Sequence, residues 1–160
     1  MKKLKVYLDT SIIGFLFADD SPEFKKITVD FFNNYINDFE VFISDIVILE
    51  LERTKDKYLR ERLLKVIDDY KIKIIDTSNH EEIRRLAQVY IDENIIPENK
   101  LEDALHIAIC TVNEYDILLS WNFKHIANVK KQTQINSVNM SNGYLKKISL
   151  LSLLEVEYAK

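Results

Sequence analysis

Glycine is nearly absent: Gly14 and Gly143 are the only two in 160 residues. A phosphate-cradling loop needs several glycines close together, so neither a P-loop nor a dinucleotide-binding fingerprint can be built here. Cysteine is scarcer still. Cys110, alone in an apolar helical stretch, excludes an internal disulfide and a cysteine-built zinc site, and reads as a small core residue in a reducing compartment. No apolar run approaches membrane length and no charged-then-apolar leader opens the chain, so the expected protein is soluble and cytosolic, with no membrane partner. An excess of positive charge is missing too. The net charge of -4 and pI near 5.4 argue against coating nucleic acid by bulk electrostatics, so any such contact must be local.

What is present is hydrophobic content of 47%, enough for one real core, and the expectation is a single domain over residues 1–160. Four short apolar runs, Lys5 to Leu8, Val41 to Ser44, Ile72 to Ile75 and Ile117 to Ser120, alternate with longer stretches of helical periodicity. That alternation predicts a three-layer α/β/α fold around a central, mainly parallel sheet. Ser21-Pro22 opens a helix carrying Phe24, Ile27, Phe31 and Tyr35; Ser44 can cap the next; Ser78-Asn79-His80-Glu81 matches a capping box. Pro97 and Asn99 precede a further helix over Leu101 to Thr111. Beyond Ile135 the periodicity weakens, with Gly143 as a turn signal and Ile148 to Leu150 as a possible late strand.

Asp9 stands where the run Val6-Tyr7-Leu8 stops and Thr10-Ser11 begin, at the carboxyl end of a strand. It reads either as a helix cap or as part of a site, because in open parallel sheets that edge is where ligands are placed. Ser44 and Ser120 follow the second and fourth strands and reach the same edge. Glu50 lies between Leu49 and Leu51 about one and a half turns into the helix after Ser44, whereas Glu52, about two hundred degrees further round, faces water. Asp103 shares a helix flank with His106 and is followed by an apolar face. A solvated surface acid is the alternative for Glu50 and Asp103 taken singly. Asp116 precedes its strand and belongs at the opposite end.

The segments Val6-Tyr7-Leu8-Asp9-Thr10-Ser11, Ile43-Ser44 with Glu50-Leu51, Asp103-Ala104-Leu105-His106-Ile107-Ala108 and Leu118-Leu119-Ser120-Trp121-Asn122 resemble the PIN-domain ribonucleases, including the toxins of VapC type. The resemblance covers nearly the whole chain. It implies a site in which Asp9, Glu50 and Asp103 hold Mg²⁺ or Mn²⁺ and RNA is cut by hydrolysis. It also implies an antitoxin protein as partner. Hard divalent cations bind through a few carboxylates, water and substrate phosphate, which agrees with this donor set.

Thr10, Ser11 and Ser120 would orient Asp9 or a bound water, or serve as helix caps. Family members often carry a fourth acid after the fourth strand. Here Asn122 occupies that place, offering an amide but no charge, which favours one well-held metal. His106, one turn from Asp103, reads either as a packed helix histidine or as a hydrogen-bonding group near the site, and His80 as part of its capping box. His125, Lys100, Lys124, Lys130 and Lys131 are candidates for RNA backbone contact. A homodimer is expected from Phe24, Phe31, Phe32 and Tyr35, which place apolar side chains on more than one helix flank. A PIN-shaped binding module is the competing reading. A phosphotransfer receiver or a haloacid-dehalogenase-type phosphatase fails for want of a second acid beside Asp9, where Ser11 stands.

Overall fold

A computed structural model describes residues 2–156. Five parallel strands, β1 (Lys5–Leu8), β2 (Glu40–Ser44), β3 (Lys73–Ile75), β4 (Ile117–Leu119) and β5 (Ser149–Leu151), form one sheet in the order β3-β2-β1-β4-β5. The sheet is parallel throughout, and helices complete a three-layer α/β/α arrangement. Central strands buried on both faces need apolar side chains at successive positions, not alternate ones. Accordingly Val6, Tyr7 and Leu8 are fully buried, as are Leu118 and Leu119. The late strand expected at 148–150 falls one residue further on.

The strand order fixes where a site belongs. From β1 the chain runs one way through β2 and β3, then returns to lay β4 and β5 on the other side of β1. The direction reverses between β1 and β4, and the crevice at such a switch point, beyond the strands' carboxyl ends, is the natural ligand position. Asp9 follows β1 there, and Ser120 follows β4.

The helices are α1 (Thr10–Gly14), α2 (Pro22–Asp30), α3 (Asp45–Glu52), α4 (Lys57–Asp69), α5 (Glu81–Asp92), α6 (Leu101–Val112), α7 (Val129–Ser141) and α8 (Leu153–Val156). After α2 the helix widens to π geometry over Phe31–Tyr35. The extra residue in that turn lets the neighbouring rings of Phe31 and Phe32 both enter the core, packed edge to face with centroids 5.6 Å apart. Among the described residues no helix is long and apolar enough to cross a membrane.

Three expected caps are corrected. Ser21 and Ser44 make no side-chain capping bond, and the Ser44 hydroxyl is instead 2.7 Å from the buried Tyr7 hydroxyl. The Ser78 to Glu81 capping box does not form, because the Ser78 N–H donates to Asp76 Oδ1 at 2.9 Å and His80 at the cap position makes no side-chain cap. Helix α7 was not legible as one element. Its inward face carries a single fully buried aliphatic, Ile135, and a buried amide, Asn139, whose Oδ1 accepts from Tyr90 Oη at 2.5 Å. Its start is marked by Asn128, which accepts from Lys131 N at 2.8 Å. Gly143, at φ +89, turns the chain after it.

Candidate active site

Asp9 is both a cap and the centre of the sheet edge. It is 4% exposed, and its Oδ1 accepts from Ile12 N at 3.4 Å at the start of α1. Ser11 Oγ donates to the same oxygen at 2.5 Å, and Ser120 Oγ, arriving from β4, donates to Oδ2 at 2.5 Å. Each serine is itself held: Trp121 N donates to Ser11 Oγ at 2.9 Å and Asn122 N to Ser120 Oγ at 2.9 Å. The two serines thus hold the Asp9 carboxyl from opposite sides. Burial pushes the Asp9 carboxyl above the ordinary carboxylate range, only partly offset by His106 and the two hydroxyls.

Glu50 and Asp103 line an open cleft of about 610 Å³ beside Asn122. Glu50, on α3, is not a solvated acid. His106, on α6, brings Nε2 to 2.6 Å from Glu50 Oε1, while its Nδ1 lies 2.7 Å from the Tyr7 hydroxyl on β1. Burial opposes the charge on both partners, but their mutual hydrogen bond and attraction prevail. Glu50 ends below its ordinary range and His106 above its own. Both readings of His106 hold at once: the ring is packed and buried, and it bridges the sheet to the acid cleft. A tyrosine and a serine in otherwise apolar strands were the available signal, since buried hydroxyls require partners.

Asp103 is pushed up by burial and by the charge of Glu50, against the pull of His106 and His125. Asn122 Nδ2 donates to Asp103 Oδ2 at 3.2 Å, and its Oδ1 accepts from His125 N at 3.0 Å. Asn122 so tethers the loop after β4 to the acid, its carbonyl taking one backbone N–H and keeping a second lone pair. Thr10 Oγ1 is buried without a hydrogen-bond partner among the described residues, close enough to Glu50 to lower it. Glu52 is exposed, and Asp116, at the far end of the sheet, accepts from Lys5 N at 2.8 Å and pairs with Lys146 at 2.9 Å.

Among the described residues no three His, Cys, Asp or Glu side chains close on one point as a ready-made metal cage. The acids surround His106 instead, which feels the charge of Glu50, Asp9 and Asp103 together. The donor set nevertheless fits a small hard cation: carboxylate oxygens, the Thr10 hydroxyl beside Glu50, and negative charge that one histidine only partly balances. Such ions take a few carboxylates and complete their shell with water and substrate oxygen.

An open parallel sheet with acids at its switch point defines a domain that places its ligand at that edge. The chain belongs to the PIN domain family, whose model matches residues 6–128. PIN domains are in general nucleases. Two solved structures share the fold. One is the VapBC2 complex of Rickettsia felis bound to a DNA fragment from its promoter, at 19% identity and TM-score 0.53, covering 76% of this chain and 90% of that one. The other is a toxin-antitoxin complex from Klebsiella pneumoniae, at 22% identity and TM-score 0.55, covering 79% and 93%. No curated protein sequence matches the chain.

Proposed function

We propose that this PIN domain is a Mg²⁺- or Mn²⁺-dependent endoribonuclease and the toxin of a toxin-antitoxin pair. The observation that carries the reading is the pairing of two acids on the cleft, Glu50 and Asp103, with a third, Asp9, clamped by hydroxyls from both sides of the switch point. Asp9, Glu50 and Asp103 would hold the ion. When bound, it supplies charge to neutralise the acids and the scissile phosphate, and makes water acidic enough to attack phosphorus.

The chain's own residues do the rest. Ser11 and Ser120 donate to opposite oxygens of Asp9 and fix the plane of its carboxylate. His106, anchored by Tyr7, keeps Glu50 turned toward the cleft wall by donating from Nε2. Asn122 donates to Asp103 and holds it without adding charge. Lys100, on the cleft, is a cation for substrate phosphate. Hydrolysis forms one bond from water oxygen to phosphorus and breaks one phosphorus–oxygen ester bond, the leaving oxygen taking up a proton.

An antitoxin partner is supported by the apolar rim of the same cleft. Leu49 is 53% exposed and Leu101 45% exposed. Apolar side chains held in water beside an acidic site suit a partner segment carrying both apolar and basic groups.

The test is incubation of the purified chain with single-stranded RNA in Mg²⁺ or Mn²⁺ and again with a chelator. Cleavage in metal that stops with chelator supports the nuclease. RNA binding without cleavage under every metal supports instead a PIN-shaped binding module. Co-purification with the product of a short neighbouring reading frame, and loss of cleavage in that complex, tests the toxin role.

A further inference from the structure

A second cavity, of about 520 Å³, adjoins the acid cleft and is absent from the account so far. Glu98 lines both, so the two open side by side on the surface. One side of the cavity is apolar, from Ile91, Ile95, Ile96 and Pro97. Hydrogen-bonding groups come from Gln88, one turn from Ile91 on α5, from Asn94, next to Ile95 on the α5–α6 loop, and from His125 on the loop after β4. His125 is only 9% exposed, and its Nδ1 is buried with no hydrogen-bond partner among the described residues. An unmet buried nitrogen costs about 1–3 kcal/mol, a penalty a ligand can remove. The ring is placed deliberately: its backbone N–H donates to Asn122 Oδ1, and Asn122 in turn donates to Asp103.

We propose that this cavity is a nucleobase subsite, seating the base of a nucleotide adjacent to the phosphate cleaved at the acid edge. The proposal rests on the ribonuclease reading of that edge. A flat heterocycle has an apolar face for the isoleucine side and a rim of donors and acceptors for His125, Asn94 and Gln88. Free phosphate is a poorer match, because Asp92 and Glu98 stand on the same walls as Lys124 and Lys131 and cancel their charge. Lys131 is moreover committed, its Nζ donating to the Ile95 carbonyl and tying α7 to the cavity's apolar side. Burial and the neighbouring lysines hold His125 below its ordinary range, against the pull of Asp103. Sequence preference at one position beside the cut follows from this arrangement.

The experiment titrates the metal-free full chain with AMP, GMP, CMP and UMP, following the imidazole resonances of His125 by NMR, with ribose 5-phosphate as the base-free control. At least one nucleotide shifts these resonances saturably and ribose 5-phosphate does not. Gln88→Ala, at an exposed position on α5, weakens that nucleotide by about tenfold, the loss expected for one hydrogen bond to a buried or charged partner. Among RNA substrates, His125→Ala flattens the preference at one position beside the cut. No shift with any base, or an equal shift with ribose 5-phosphate, overturns the subsite. Nucleotide binding needs neither metal nor turnover, so Asp103→Asn that loses cleavage but keeps the shift separates this proposal from the nuclease reading.

Discussion

His106 Nε2 lies 2.6 Å from Glu50 Oε1, with the other ring nitrogen held at 2.7 Å by the Tyr7 hydroxyl. The contact joins α6 to α3 across the sheet edge. Glu50 accepts in either protonation state of the ring. With neutral His106, Nε2–H donates to Glu50 and Nδ1 accepts from Tyr7 Oη. With the imidazolium, both nitrogens donate and the Tyr7 hydroxyl turns its proton to Ser44.

This pair predicts a pH-dependent stability. His106 is raised from its ordinary 6.5, so its contribution is fully present below that value and is lost as pH rises through the folded pKa. Glu50 is lowered from 4.5, so its contribution is present above that value and lost as pH falls through the folded pKa. His106→Gln therefore costs most between pH about 4.5 and 6.5, about 2–3 kcal/mol, and less by pH about 9. Urea unfolding of the metal-free proteins across that range measures it; a gap that stays constant with pH contradicts the charged pair.

Tyr7→Phe removes a hydroxyl that is shared by His106 Nδ1 and Ser44 Oγ, both buried. Leaving two polar groups unmet costs about 1–3 kcal/mol by chemical denaturation. Adding Ser44→Ala to Tyr7→Phe costs less than Ser44→Ala does in the wild-type background, because the stranded hydroxyl goes with it. Strict additivity would show that the two hydroxyls are not coupled.

Asn122→Asp exchanges a donor to Asp103 for a second negative charge. Metal-free, the variant melts lower than wild type. Calorimetry with Mn²⁺ gives tighter binding or a second site, since the added carboxylate supplies the charge that the fourth position lacks. Equal melting and equal metal affinity would mean that Asn122 is outside the ion's reach.

The layout of the site was legible from the sequence where its physics is local. Runs such as Val6-Tyr7-Leu8 announce strands buried on both faces, and Asp9 and Ser120 at their ends mark the edge that the strand order brings together. The functions of hydroxyls were not legible, because a serine after a strand can cap a helix or bond across the sheet. Ser44 does the second and Ser120 clamps Asp9, choices made by partners far along the chain. The partners of His106 were not legible for the same reason: its own helix shows Asp103 one turn away, whereas both ring partners, Tyr7 and Glu50, come from other elements. His125 offered no signal beyond its neighbouring lysine.

Asp9 should be a stability liability in the absence of metal. A buried acid with a raised pKa adds stability only below its ordinary range, and loses it as pH rises through the folded pKa. At neutral pH the charge is a net burden on the fold. Asp9→Asn keeps or raises the melting temperature, each kcal/mol being worth about 2–4 °C at this chain length. A fall of many degrees in thermal melts would place Asp9 among structural caps.

The claim that the sheet-edge acids are a nuclease site is tested most directly by single-turnover cleavage of single-stranded RNA in Mg²⁺ by wild type, Asp9→Asn and Asp103→Asn, each confirmed folded by circular dichroism. The account predicts cleavage by wild type that falls at least about 10²-fold in both variants, the loss expected when a group acting only in the transition state is removed. Cleavage at the wild-type rate by either folded variant would contradict it.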